Sequence, residues 1–254
     1  VEVEMGTVAA MIVLVHGVPE SAALWETLRE RLDGPTTALA LPGFACPRPD
    51  GFGATKDDYA AWLVDELEAI GEPVDLVGHD WGAALTYRVA TTRADLLRSW
   101  AADVANVMHP RYTWHDFAQI WQTEGAGEEF FASQAGVSAE DLAAGYEAMG
   151  VPADDTGVLV PLGDPVMAPC IMDLYRSATP RIFDHWGDAL TPTAAPGLVL
   201  HAADDSFGDE ALSDEVAAML GARRATLSGV GHWWALQDPD AAAAVLNGFH
   251  ASIV

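Results

Sequence analysis

Three side chains carry most of the chemistry this sequence offers: Asp80, His232 and a carboxylate near position 205. Asp80 is the centre of Gly78-His79-Asp80-Trp81-Gly82. A short apolar run, Val74 to Val77, precedes it, and a helix-like segment, Ala83 to Thr91, follows. That is the strand–turn–helix setting in which a nucleophile is held on a sharp, strained turn. Gly78 and Gly82 meet a steric need, because a Cβ at either place would collide with the neighbouring strand or helix. The residue type then fixes the chemistry. A Ser attacking a saturated carbon would leave an ether that water does not readily cleave. A carboxylate attacking the same carbon leaves an ester, which an activated water hydrolyses. Asp is already ionised near neutral pH and needs no base to begin. The pattern therefore points to displacement at an alkyl carbon followed by ester hydrolysis. Since Gly-x-Asp-x-Gly also occurs in turns without chemistry, the partners decide.

The ester step needs a base, and the base needs an acid to orient it. His232 is the candidate base. It lies in Gly229-Val230-Gly231-His232-Trp233-Trp234, a glycine-flanked loop after a strand. The acid is expected after the strand that ends at His201, where Ala202-Ala203-Asp204-Asp205 supplies two carboxylates. Asp205 is the first choice and Asp204 the local alternative. Asp103, at the end of an earlier core strand, is a second place for the acid.

These pieces together resemble the α/β-hydrolase superfamily, in the branch of epoxide hydrolases and haloalkane dehalogenases, and are most like the epoxide hydrolases. The resemblance covers nearly the whole chain. It rests on His16-Gly17-Val18-Pro19, on the Asp80 turn, on the late Asp205 and on Gly231-His232, in that order. It implies an Asp80–His232–Asp205 triad, with the backbone amides of Val18 and Trp81 as the oxyanion hole. Tyr175, in Asp173-Leu174-Tyr175-Arg176, is similar to the cap Tyr-Arg of epoxide hydrolases and would receive the leaving oxygen. The segment from Trp114 to Gln122 resembles the first cap helix, but Phe117 stands where that family has its other tyrosine. Tyr112, Tyr146, His115 or a nearby Trp could substitute. The expected substrate-binding residues are His16, Phe117, Trp121, Trp186 and Trp233.

Two other readings compete. A dehalogenase would use the same triad, with Trp81 and either Trp121 or Trp186 as halide donors. Val18, where that branch often carries Asn, argues against it, and so does Trp81, where a haloacetate dehalogenase would favour Arg. A binding protein could keep the fold without turnover, but a receptor needs no base and acid behind its nucleophile. Fold likeness alone does not separate these.

The elements around these residues alternate. Met11 to Val15 and Val74 to Val77 read as buried strands, Leu97 to Val104 as a further core strand, Gly197 to His201 as a strand, and Thr37 to Leu41 and Arg224 to Leu227 as short strands. Helices are expected over 22–31, 57–70, 210–220 and 241–253, the first capped by Glu20 or Ser21 and the second stopped by Gly71. At most one or two short edge strands fit upstream of the first run. Such alternation predicts a mostly parallel, doubly wound α/β sheet. Residues 107–191 break it, being rich in aromatics, prolines and glycines with no strand signal. They predict an inserted helical cap, leaving 1–106 and 192–254 as the hydrolase core.

Half of the 254 residues are apolar, enough for a substantial core, and the net charge is −26. Such acidity disfavours nucleic acid and anionic membranes as partners. No apolar run reaches membrane-spanning length. Cys46 and Cys170 make no disulfide framework and fit a reducing cytoplasm. No phosphate-binding glycine loop and no metal-ligand spacing is present, so neither cofactor nor metal is expected. The partner expected is a small apolar or aromatic epoxide, with a homodimer left open.

Overall fold

The computed structural model describes residues 10–253, and the expected upstream edge strands fall outside them. Six strands form one parallel sheet among the described residues: β1 (Ile12–Val15), β2 (Thr36–Leu39), β3 (Val74–Gly78), β4 (Leu97–Ala102), β5 (Gly197–Ala202) and β6 (Arg223–Leu227). Their order across the sheet is β2-β1-β3-β4-β5-β6. The inner strands β1 and β3 are buried along their whole length, and β1 is apolar throughout because both of its faces are covered, whereas the edge strands β2 and β6 are more exposed and carry Thr and Arg. Ile12 and Leu14 pack on one side and Val13 and Val15 on the other.

The first helical stretch divides into a 3-10 turn, Ala22–Trp25, and one α turn, α1 (Glu26–Arg29). Helix α2 (Lys56–Ile70) opens with a capping box between Thr55 and Asp58 and ends on Gly71 at φ 81°. That left-handed conformation costs glycine nothing. Helix α3 (Trp81–Thr92) leaves directly from the end of β3.

Between β4 and β5 the described chain is helical apart from one isolated bridge, Glu20 to Leu159. Its helices are α4 (Asp116–Gln122), α5 (Ala126–Gln134), α6 (Ala139–Ala148), α7 (Met167–Ser177) and α8 (Phe183–Trp186). Their aromatic residues join the core beneath. Trp114, Trp121 and Tyr175 belong to the same buried cluster as Val13, Val15 and Leu76. Helices α9 (Glu210–Leu220), α10 (Trp234–Gln237) and α11 (Pro239–Ala251) complete the chain. Among the described residues no helix is long and apolar enough to cross a membrane. Both cysteines are free thiols.

A parallel sheet directs the C-terminal ends of all its strands to one edge, and ligands bind where the strand order reverses. Here the chain runs from β1 outward to β2 and then returns to β3 on the other side of β1. The reversal lies between Val18, after β1, and Asp80, after β3. Asp103 follows β4, Asp205 follows β5 and His232 follows β6. Residues far apart in sequence therefore meet along one edge.

Candidate active site

Asp80 has φ 52° and ψ −118°, a strained conformation for a residue with a side chain. The strain is imposed by close packing on every side. A Cβ on Gly78 would stand 2.3 Å from the carbonyl oxygen of Gly82, and one on Gly82 would stand 2.1 Å from that of Val15. A Cβ on Gly17 would meet the Asp80 side chain itself at 2.3 Å. The three glycines let strand, turn and helix approach closely enough to hold the carboxylate out from the sheet.

The two oxygens of Asp80 have different neighbours. Oδ1 accepts a hydrogen bond from the Val18 amide at 2.9 Å. Oδ2 lies 3.9 Å from Nε2 of His232, beyond hydrogen-bond reach. The amide of Trp81, at the first position of α3, belongs to the turn whose N–H groups have no partner inside a helix. Burial raises Asp80 to a pKa of about 6, against the pull of the His232 and His79 charges and the Val18 amide.

His232 is buried, and its Nδ1 lies 3.0 Å from Oδ2 of Asp205. The other Asp205 oxygen accepts from the Phe207 amide at 2.8 Å, which sets the carboxylate plane. Burial disfavours charge on Asp205, yet the neighbouring imidazole holds its pKa below the usual carboxylate value. The ionised acid obliges Nδ1 to donate. The neutral His232 then keeps its lone pair on Nε2, the nitrogen nearest Asp80. Burial also works against charge on His232, and Asp205 outweighs it, so the pKa is raised. Asp204 is exposed, and it is Asp205 that pairs with His232. Asp103 bonds to His79, not to His232.

The site opens into a cavity of about 100 Å³. Asp80, His232, Val18 and Trp233 contribute from the sheet side, and Tyr112, His115, Phe117, Trp121, Tyr146 and Tyr175 from the helical insertion. His16 and Trp186 do not fulfil their expected role, because neither lines this cavity. His16 is fully buried beneath, its Nδ1 2.8 Å from the Gly17 carbonyl and its Nε2 accepting from the Leu41 amide. Trp186 donates its indole N–H to Asp57 at 2.9 Å and stacks under Lys56 and Arg88, on the side of α2 and α3. Phe117 remains 43% exposed at the rim, stacked on Trp121.

Tyr175 is buried with its ring 5.2 Å from that of Trp81 and 4.9 Å from that of Trp121. Burial, reinforced by the Asp80 charge, raises its phenol well above the ordinary value, with the Trp81 indole pulling the other way. The group is a protonated donor at neutral pH. Tyr146 already donates to the Val160 carbonyl at 3.1 Å. His115 caps α4, its Nδ1 accepting from the Ala118 amide at 3.2 Å. Burial lowers its pKa to about 4, so the ring is neutral and its proton sits on Nε2.

Below the cavity lies a group that the sequence reading missed. Glu20, expected as a possible helix cap, is fully buried, and Ser21 makes no side-chain cap bond. Glu20 faces Nε2 of His79 at 3.0 Å, and Asp103 faces Nδ1 at 2.5 Å. The ligand atoms of Glu20, His79 and His232 lie within 4.8 Å of one another, as metal ligands can. However, both His79 nitrogens are directed at carboxylates, which leaves the ring no lone pair for an ion.

Sequence comparison agrees with this geometry: residues 12–245 match the alpha/beta hydrolase family. The chain belongs to that family. It is 30% identical over 138 residues to a haloalkane dehalogenase of Bradyrhizobium diazoefficiens, covering 50% of this chain and 40% of that protein. It is 33% identical over 102 residues to epoxide hydrolase 3 of Siraitia grosvenorii, covering 35% and 30% respectively. The matches thus span less than half of these curated relatives. The crystal structure of an ancestral haloalkane dehalogenase superposes with a TM-score of 0.72 at 20% identity, covering 96% of this chain and 92% of that one. At that identity the likeness is one of fold.

Proposed function

We propose that this hydrolase opens a small epoxide to a vicinal diol through a covalent ester on Asp80. The observation that carries the reading is the pairing of Asp80 with Tyr175: an open carboxylate and a buried, protonated phenol line the same cavity. An epoxide oxygen leaves as an alkoxide and needs a donor, whereas a halide leaves as a stable anion. In the first step Oδ2 of Asp80 forms a bond to an epoxide carbon, and the electrons of the breaking C–O bond go to the ring oxygen. Tyr175 gives that oxygen its proton or a strong hydrogen bond. Tyr112 and His115 line the same cavity and supply the second donor that Phe117 lacks.

In the second step neutral His232, oriented by Asp205, takes a proton from water through Nε2. The water oxygen attacks Cγ of the Asp80 ester. Negative charge then builds on Oδ1, which already accepts from Val18, and the Trp81 amide adds a second donor. Collapse expels the ester oxygen as an alkoxide, which takes the proton from His232. The remaining water proton, left on the new Asp80 carboxyl, goes to the Tyr175 phenolate or to the first alkoxide that Tyr175 held. The diol then leaves and the carboxylate is restored. The tight aromatic cavity suits a compact apolar or aromatic epoxide, and a reducing cytoplasm remains our reading of the two free thiols.

Dehalogenation by the same triad is the second reading, and one observation favours it. The indole N–H of Trp121, in the cavity wall, is buried with no partner among the described residues. Turnover of matched aryl and alkyl epoxides and haloalkanes separates the two. We expect diol with no halide release. Halide release with inert epoxides would reverse the assignment.

A further inference from the structure

We propose that Glu20, His79 and Asp103 form a buried carboxylate–imidazolium–carboxylate clamp that positions the nucleophile, the oxyanion loop and the histidine loop as one unit. The inference rests on the reading of Asp80 and His232 as working groups and is independent of the leaving group.

The connections are specific. One oxygen of Glu20 accepts from the Gly17 amide at 2.8 Å, next to the Val18 donor. The other faces His79 and accepts from the Trp233 indole at 3.0 Å, one residue beyond His232. Asp103 accepts from the backbone amide of Asp80 at 3.0 Å through one oxygen. Its other oxygen faces His79 and accepts from the Trp234 indole at 2.6 Å. His79 joins the two carboxylates. Four loops, after β1, β3, β4 and β6, are thereby tied through three side chains that are each at most 2% exposed.

The geometry also sets the charge. Two ring nitrogens that both face ionised carboxylates, which only accept, must both carry protons. Burial opposes that cation, but Glu20 and Asp103 outweigh it and hold His79 well above the ordinary imidazole value. Despite its burial, Glu20 is held down to about 2, chiefly by His79. The titratable groups that share the field of His79 are Glu20, Asp103, Asp80, Asp205 and His232, whose ring centroid is 4.6 Å away, with His16 in the loop after β1. The cation favours the ionised form of Asp80 and the neutral form of His232. Those are the forms in which each group works. These are positioning residues, since none of the three lines the cavity.

The test uses opposite signs. His79→Gln removes the cation, so Asp80 should ionise only at higher pH. Glu20→Gln removes an anion while Asp103 keeps His79 charged, so Asp80 should ionise at lower pH. Carboxyl ¹³C titration of Asp80 reads both shifts without substrate, each expected at about one pH unit. The acid limb of kcat/KM should move with them. At low pH, His79→Gln should therefore lose about tenfold more activity than at high pH. In the wild type, ¹⁵N spectra should show His79 doubly protonated above pH ~8, where an ordinary imidazole is neutral. Equal losses at all pH, titration shifts of the same sign, or a neutral His79 would overturn the proposal. If the Asp80 covalent reading fails, the ¹³C and ¹⁵N measurements still judge the clamp. If His79→Gln does not fold, Glu20→Gln and the wild-type spectrum decide.

Discussion

The floor and the roof of the cavity are built on opposite principles. The floor stands on the sheet edge, and its polar atoms are paired in depth. Asp80 leans on Val18, His232 on Asp205, and the elbow amide on Asp103. The roof comes from the helical insertion and is a set of ring contacts. Trp114, Trp121 and Trp81 surround Tyr175, with few hydrogen bonds among them. Paired polar groups in a low-dielectric site hold one geometry, because any displacement leaves a buried group unsatisfied. Apolar ring contacts are less directional and accept substitution of similar volume. In the proposed mechanism the floor therefore carries the reaction, while the roof bounds the substrate and receives the leaving group.

Tyr175→Phe tests that division from the roof. It removes one hydroxyl from a well-packed ring, so folding should be preserved. Single-turnover alkylation of Asp80 by an epoxide should slow on the order of 10²-fold, the usual worth of a positioned proton donor. Hydrolysis of the ester should change little, because that step belongs to the floor. If alkylation is unaffected, Tyr175 leaves the mechanism and Tyr112 or His115 takes its place.

A smaller effect is expected from Asp80→Asn, which probes the floor's internal cost. Asp80 has an ordinary value of 3.8, and burial raises it to about 6 in the folded chain. Since the folded state holds the proton more tightly, stability from this group is full below 3.8 and falls as pH rises through 6. Asn carries no such charge. Its melting temperature should match that of the wild type near pH ~4 and exceed it increasingly toward pH ~7, by on the order of 2–4 °C per kcal/mol relieved. A difference independent of pH would show that the carboxylate is not under strain.

The floor was far more legible in the sequence than the roof. An uninterrupted apolar run marked β1 because both of its faces are buried, and Gly78 and Gly82 marked the elbow because its geometry excludes a Cβ. In contrast, the insertion has aromatics at most turns of its helices, and composition cannot say which way each ring faces. Trp121 lines the cavity while Trp186 turns away to Asp57. His16 misled by its place in the loop whose Val18 amide donates to Asp80. Glu20 was hidden for a related reason: in a turn beside Ser21 it looks like a cap. Its partners, His79 and Trp233, lie 59 and 213 residues further along the chain. Asp103 was weighed as the acid, yet only the packed structure shows that its partner is His79.

The central claim is that Asp80 attacks carbon and His232 activates the water that frees it. The direct test is intact-protein mass spectrometry of His232→Gln after mixing with an epoxide that the wild type consumes. Removing the base should leave the first step and block the second, since a positioned base contributes on the order of 10²–10⁴-fold. The protein should gain the full mass of the epoxide, with the adduct mapping to Asp80. A haloalkane would add its own mass less that of the hydrogen halide, so the same spectrum reports the leaving group. An unmodified His232→Gln protein would contradict the covalent route and leave Asp80 acting as a base toward water.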